Sequence, residues 1–318
     1  MAEVLQRPIA VCDAAAALGA PVAVICHDSG GAEILSSYLA RSSIPPLLVL
    51  DGPAVGVFER KLRGIEQTHL DDALNRAAWV LAGTSWQSDL EWNAIERARR
   101  AGRFTVAFLD HWINYEERFV RRGQRVLPDE IWVGDQYAAE IARATFASHS
   151  IKVLENPYFE DVRREFAALK VANSPRHFAK RVLYVCEPMR EHGLRHYGDE
   201  RYFGYVEEEA VQYFLDHVNG IAPRVERVVI RSHPSEPAGK YAWTLQQRRF
   251  KVELSRNGPL IGEIAAADVI VGCESMAMVV ALIGGKRVIS AIPPGGRSCA
   301  LPHPQIEKLQ ELIGQGRR

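Results

Sequence analysis

The sequence predicts an α/β protein of two consecutive units, each a parallel sheet with crossover helices, facing a central cleft. Three observations predict it. Short apolar runs rich in β-formers alternate with longer segments of helical periodicity, the pattern of parallel strands joined by helices. The chain has 318 residues, more than one hydrophobic core usually organises, so two domains of about 150 residues are expected. The alternation is also interrupted once, near the middle, by a strand-free stretch that begins at Asn156.

In order along the chain, six strands are expected in the first half: PVAVIC (21–26), PLLVL (46–50), AAWVLAG (77–83), FTVAFL (104–109), EIWVG (130–134) and IKVLE (151–155). Helical patterns lie between them, as in GAEILSSYLARS (31–42) and SDLEWNAIERARRAG (88–102). The second of these closes on arginines and a glycine, as a helix C-terminus should. From Asn156 the chain reads as a helix and a linker broken at Ser174-Pro175. Strands resume with RVLYVC (181–186), RVVIR (227–231), FKVEL (250–254), DVIVGC (268–273) and RVIS (287–290). The domains are therefore placed at 1–160 and 161–318, with the last helix packing back on the first.

Hydrophobic residues make up 47% and charged residues 25%, an ordinary globular composition. Lys plus Arg and Asp plus Glu both number 39, so no overall field points to nucleic acid and any anion site must be local. Cys12, Cys26, Cys186, Cys273 and Cys299 show neither zinc spacing nor a disulfide framework, which fits a reducing cytoplasm. No secretory leader and no long apolar span is visible. A cytoplasmic protein is expected, with peripheral contact to the inner membrane left open; oligomeric state is not indicated.

In parallel α/β sheets ligands bind beyond the carboxyl ends of the strands, so the chemistry is sought there. The strand at 227–231 runs into RSHPSE, where Arg231, Ser232 and His233 can all donate to a phosphate and Pro234 fixes the exit; alternatively the histidine serves only its own turn. DVIVGC continues into ESMAMVV, in which Ser275 is a good N-cap for a helix from Met276. The amides of Ala277 and Met278, left free at that helix start, would form an anion site. Glu274 is placed to accept from sugar or ribose hydroxyls, and Glu187, after the strand at 181–186, from a hydroxyl or base edge. IPPGGRSC (292–299) is a clamp or a turn.

In the first half, CHDSGGAE (26–33) ends the opening strand. Gly30 and Gly31 permit close backbone approach to a ligand, His27 and Asp28 face the cleft, and Asp28 is either a general base or the cap of the next helix. The G-x-G-x-x-G fingerprint is absent, so NAD is not inferred, and no cofactor is expected. LDHWINYEERF (109–119) brings Asp110, His111, Trp112, Asn114 and Arg118 to a strand end, a mixture suited to a sugar's apolar faces and hydroxyls, or else a loop folded over its own tryptophan. The arginine runs at 97–103 and 118–125 read as solvated faces, or as contacts for an anionic acceptor or lipid headgroup.

His233-Pro234 and Ser275 in CESMA resemble the His-Pro and serine motifs of bacterial sialyltransferases and polysialyltransferases within the GT-B glycosyltransferase superfamily. The layout is also similar to CDP-glycerol glycerophosphotransferases and UDP-GlcNAc 2-epimerases. The resemblance implies two Rossmann-like domains, the first binding an acceptor and the second a nucleotide sugar. It implies that His233 contacts the donor phosphate and assists its departure, that Ser275 and the helix start at Met276 bind the same phosphate, and that a carboxylate of the first domain deprotonates the acceptor. That family usually presents the base in a paired acidic stretch closed by glycine, which this sequence lacks; Asp28 is assigned from position. The expected activity is an inverting, metal-independent transfer, with a CMP-linked nonulosonic acid as the leading donor and a glycan, lipid-linked or protein acceptor. An epimerase or glycerophosphotransferase of the same fold, and a non-catalytic sugar-nucleotide or glycan-binding module, are the competing readings.

Overall fold

The computed structural model describes residues 10–85, 88–169, 180–222 and 224–315; Ser174-Pro175 lies outside them. The chain divides into two compact units, Met1–Asp161 and Val162–Arg318.

The first unit holds β1 (Val22–Cys26), β2 (Pro46–Leu50), β3 (Trp79–Ala82), β4 (Phe104–Leu109), a two-stranded ribbon of β5 (Val120–Arg121) and β6 (Gln124–Arg125), then β7 (Glu130–Val133) and β8 (Ile151–Val153). Its helices are α1 (Val11–Ala16), α2 (Ser29–Leu39), α3 (Pro53–Lys61), α4 (Leu70–Arg76), α5 (Leu90–Arg100), α6 (Tyr115–Arg118) and α7 (Gln136–Thr145). Six strands form one parallel sheet in the order β2-β1-β3-β4-β7-β8. Covered on both faces, β1 is buried at every residue, which is why it reads as an unbroken apolar run. Val22, Val24 and Cys26 join one core with Leu35, Tyr38 and Phe58, while Ala23 and Ile25 join another with Leu74, Ala94 and Ala98. Each such Val, Ile or Leu contributes about 1.5–3 kcal/mol relative to exposure.

α8 (Pro157–Ala168) crosses the division between the units. The second unit holds β9 (Lys180–Val185), β10 (Val225–Arg231), β11 (Lys251–Leu254), β12 (Val269–Gly272), β13 (Arg287–Ser290) and β14 (Ile306–Lys308), all parallel in the order β11-β10-β9-β12-β13-β14. Its helices are α9 (Met189–Tyr197), α10 (Glu207–Asp216), α11 (Leu260–Ala266), α12 (Met276–Ile283) and α13 (Leu309–Gln315). The closing helix α13, expected on the first domain, lays Leu309, Leu312 and Ile313 into the core of the second unit.

In each sheet the connections leave the first strand in opposite directions, and a crevice opens at that switch point. It lies between β1 and β3 in the first unit and between β9 and β12 in the second. No described helix is long and apolar enough to cross a membrane.

Candidate functional site

In the second unit Glu187 follows β9 directly, and its Oε2 accepts the Glu274 amide at 2.8 Å. The neighbouring amides of Cys273 and Ser275 also favour the charged form of this carboxyl. Burial, then the charge of Glu274, pushes Glu187 up to about 8. Glu274 is also raised, chiefly by burial, although its Oε2 accepts the Ala300 amide at 3.0 Å. The two acids therefore meet at the switch point, one of them protonated at neutral pH.

Ser275 caps α12: its Oγ accepts from the Ala277 amide at 3.2 Å, and its carbonyl from the Met278 amide at 2.9 Å. The two amides expected to be free for an anion are thus committed to the cap. The Met276 amide has no partner among the described residues, so the donor at this helix start is Met276.

The ends of β10 and β12 flank that of β9, about 10 Å apart at the usual strand spacing. Beyond β10, the His233 amide donates to Glu236 Oε2 at 2.8 Å, and the Ser235 amide donates to His233 Nδ1 at 3.2 Å. The ring proton of the neutral imidazole therefore sits on Nε2. Burial holds His233 below its ordinary value, against the pull of Glu236 and Glu191. A neutral Nε2–H can donate to a phosphate oxygen. Pro234 is exposed at the turn.

Arg231 departs from expectation. Its Nη1 donates to Glu263 and to the Gly258 carbonyl, both at 2.8 Å, and so ties β10 to the β11–α11 connection. Glu236, which the sequence left unmarked, is the anchor of the loop: its side chain is 1% exposed and accepts from His233, from Tyr241 Oη at 2.6 Å and from Lys240 at 3.0 Å. The acid three positions after a turn histidine and four before a lysine was the available signal.

In the first unit His27 and Asp28 follow β1. His27 Nδ1 lies 2.7 Å from Asp28 Oδ1, and Ser85 Oγ donates to the same oxygen at 2.8 Å. Asp28 stands at the N-cap position of α2 without a side-chain capping bond. Its carboxylate is thus spent on His27 and Ser85 through Oδ1, with both side chains about one-fifth exposed. Behind them Glu91 is buried; its Oε1 accepts the His27 amide at 2.7 Å, its Oε2 has no partner among the described residues, and burial lifts it to about 7. Ser85 and Glu91 escaped sequence reasoning because neither follows its strand at a distinctive spacing.

The remaining acceptor candidates are largely turned inward. Arg118 is 6% exposed and bonds Asp110 Oδ1 at 2.6 Å, Thr84 Oγ1 at 2.8 Å and the Thr84 carbonyl. Asp110 and Arg118 thus hold each other and the ends of β3 and β4, rather than a ligand. Trp112 is buried and donates Nε1 to Asp135, the cap of α7, so its face is not a sugar platform. His111 Nδ1 accepts the Trp112 amide, and Asn114 takes a left-handed φ of 57° at the start of α6. Gly30 lies under the Asp110 carboxylate and Gly31 against Cys26 and Gly83, so their lack of a side chain serves internal packing. The arginine runs are also engaged: Arg97 pairs with Asp71, Arg121 with Asp89 and Arg125 with Glu116.

Among the described residues no three His, Cys, Asp or Glu side chains converge as a metal site. No family model matches the chain, and no curated protein does. Solved structures do. A glycotransferase of kitacinnamycin aligns with a TM-score of 0.50 at 12% identity, over 93% of this chain and 84% of that one. The heptosyltransferase WaaC of E. coli, with ADP-2-deoxy-2-fluoro heptose, gives 0.43 at 12% identity over 93% and 99%. The wall teichoic acid polymerase TagF gives 0.43 at 11% identity over 93% and 79%. The first similarity bears on the fold alone, and with the two six-stranded parallel sheets it identifies the architecture as two Rossmann-like domains of the GT-B kind.

Proposed function

We propose that the protein is a glycosyltransferase that moves a sugar from a nucleotide donor to an acceptor hydroxyl. The observation that carries this reading is that each Rossmann-like sheet ends, at its own switch point, in a partly buried polar cluster of complementary chemistry. The second unit, residues 161–318, offers donors for a phosphate: the Nε2–H of His233 and the Met276 amide at the positive end of α12. The first, residues 1–160, offers the Asp28 carboxylate, oriented by His27 and Ser85, as the general base for the acceptor.

In the inverting transfer, the acceptor oxygen gives its proton to Asp28 as it bonds the anomeric carbon. The bond from that carbon to the phosphate oxygen breaks, and its electron pair leaves with the nucleotide. Donors already aimed at the phosphate stabilise the charge that develops there. A CMP-linked nonulosonic acid is the proposed donor, on the strength of His233-Pro234 and Ser275, and the acceptor is a glycan, lipid-linked or protein hydroxyl. No metal is assigned to the step.

A thermal-shift panel of CMP, CDP, UDP and GDP tests the reading, because a ligand at 100 times its Kd stabilises by about 2.7 kcal/mol. A response to CMP above the others supports the donor class; a flat panel removes the nucleotide reading. Turnover that survives EDTA supports the metal-free step, and loss restored by Mn²⁺ or Mg²⁺ overturns it.

A further inference from the structure

A phosphate at the carboxyl edge of the second sheet needs positive charge, and Arg231 commits Nη1 to Glu263 and Gly258. Another guanidinium stands at the same edge. That of Arg297, in the loop after β13, lies 3.7 Å from the centroid of the Tyr202 ring, and Tyr202 stacks on Tyr197 at 3.4 Å with 6° between the planes. The three planar groups form one column.

The backbone holds the column in place. The Arg297 amide donates to the Phe203 carbonyl at 3.0 Å. Gly204, at φ +84°, passes so close to Gly295 that a Cβ there would strike the Gly295 carbonyl. These contacts fasten the loop after β13 to the connection between α9 and α10. The column also borders the switch point: Ala300, three residues beyond Arg297, donates to Glu274 Oε2, and the charge of Arg297 opposes the rise that burial imposes on Glu274. Arg297 is exposed, and among the described residues its guanidinium has no carboxylate or hydrogen-bond partner.

We propose that Arg297 is a phosphate-binding residue of the second unit, presented by the Tyr202–Tyr197 stack. The proposal rests on the reading of that unit as a nucleotide-binding domain. A ring covers the face of a guanidinium while leaving its in-plane N–H donors free for two parallel bonds to a phosphate. Because the stack orders the side chain beforehand, less freedom is lost when the anion binds.

Isothermal titration of the full chain with CMP, CDP, UDP, ADP and GDP, and with their nucleosides, tests the assignment in wild type, Arg297→Ala, Arg297→Lys and Tyr202→Ala. Losing a charge-assisted contact should weaken a nucleotide that binds wild type by about 10- to 100-fold in Arg297→Ala and leave its nucleoside within about twofold. Arg297→Lys keeps the charge without the planar fork and should fall between, as should Tyr202→Ala. Wild-type nucleotide affinity in Arg297→Ala overturns the assignment while the nucleotide reading stands. Equal losses for nucleotide and nucleoside also overturn it, since the contact is then not to phosphate. If wild type binds none of the five nucleotides, the nucleotide reading fails and this assignment fails with it.

Discussion

The Glu274 amide donates to Oε2 of Glu187 at 2.8 Å, joining two acids 87 positions apart at the ends of adjacent strands. The bond closes the connection after β12 onto the end of β9, just where α12 begins. Because burial lifts both carboxyls, and the charge of Glu274 lifts Glu187 further, the pair carries less than two negative charges at neutral pH. An anion approaching α12 therefore meets less repulsion than two ordinary glutamates would impose.

The pair has a consequence for stability. Glu187 keeps its proton in the folded chain up to about pH 8, whereas the unfolded chain releases it at its ordinary value of 4.5. Across that interval the folded state binds more protons, so this contribution is complete below 4.5 and is lost as pH rises through 8. Glu91, lifted to about 7, acts in the same direction. Glu187→Gln retains an acceptor for the Glu274 amide and cannot titrate. Urea unfolding from about pH 5 to pH 8 should therefore show a shallower decline in the variant, by on the order of 1–3 kcal/mol over the range. Parallel profiles for the two proteins would contradict the assigned burial of the Glu187 charge.

The loop that carries His233 depends on Glu236, which accepts from the His233 amide, Tyr241 and Lys240 while almost fully buried. Lys240 also pairs with Glu207, which is 4% exposed. Removing one member of such a network leaves buried partners unpaired, so Glu236→Ala should cost about 3–5 kcal/mol in urea unfolding. Glu236→Gln, which keeps an acceptor for the amide, should cost less. A Glu236→Ala protein as stable as wild type would mean that the loop is held by other contacts.

The eleven expected strands were legible as short runs rich in β-formers, unbroken and apolar where, as in β1, the strand is covered on both faces. β14 was not: Ile306–Lys308 is three residues long, two of them charged, at a sheet edge. The ribbon of β5 and β6 was hidden in an arginine run, since its turn depends on positive φ at Arg122 and Gly123. At the sites, position after a strand picked out Glu187, His233, Glu274 and Asp28 as candidates. It could not show where each polar group is spent. Arg231 finds Glu263 32 positions away, and Arg118 is drawn under β3 and β4 to Asp110 and Thr84. The same limit hid Arg297, whose platform at Tyr202 belongs to a distant connection.

Gly30 provides a test of the buried pair beneath the first site. Its Cα faces the Asp110 carboxylate so closely that an alanine methyl would occupy the place of Oδ2. Asp110 cannot yield freely, because Arg118, 5% exposed in its side chain, holds Oδ1 at 2.6 Å. Gly30→Ala must therefore displace α2 or break the ion pair, and should destabilise the chain by about 2–4 kcal/mol. The two routes differ in coupling. If the methyl acts through Asp110, then Asp110→Asn should cost at least about 1 kcal/mol less in the Gly30→Ala background than in wild type, since contacting residues are not additive. Additive losses in a double-mutant cycle read by urea unfolding would place the strain in α2 and leave the Asp110–Arg118 pair intact.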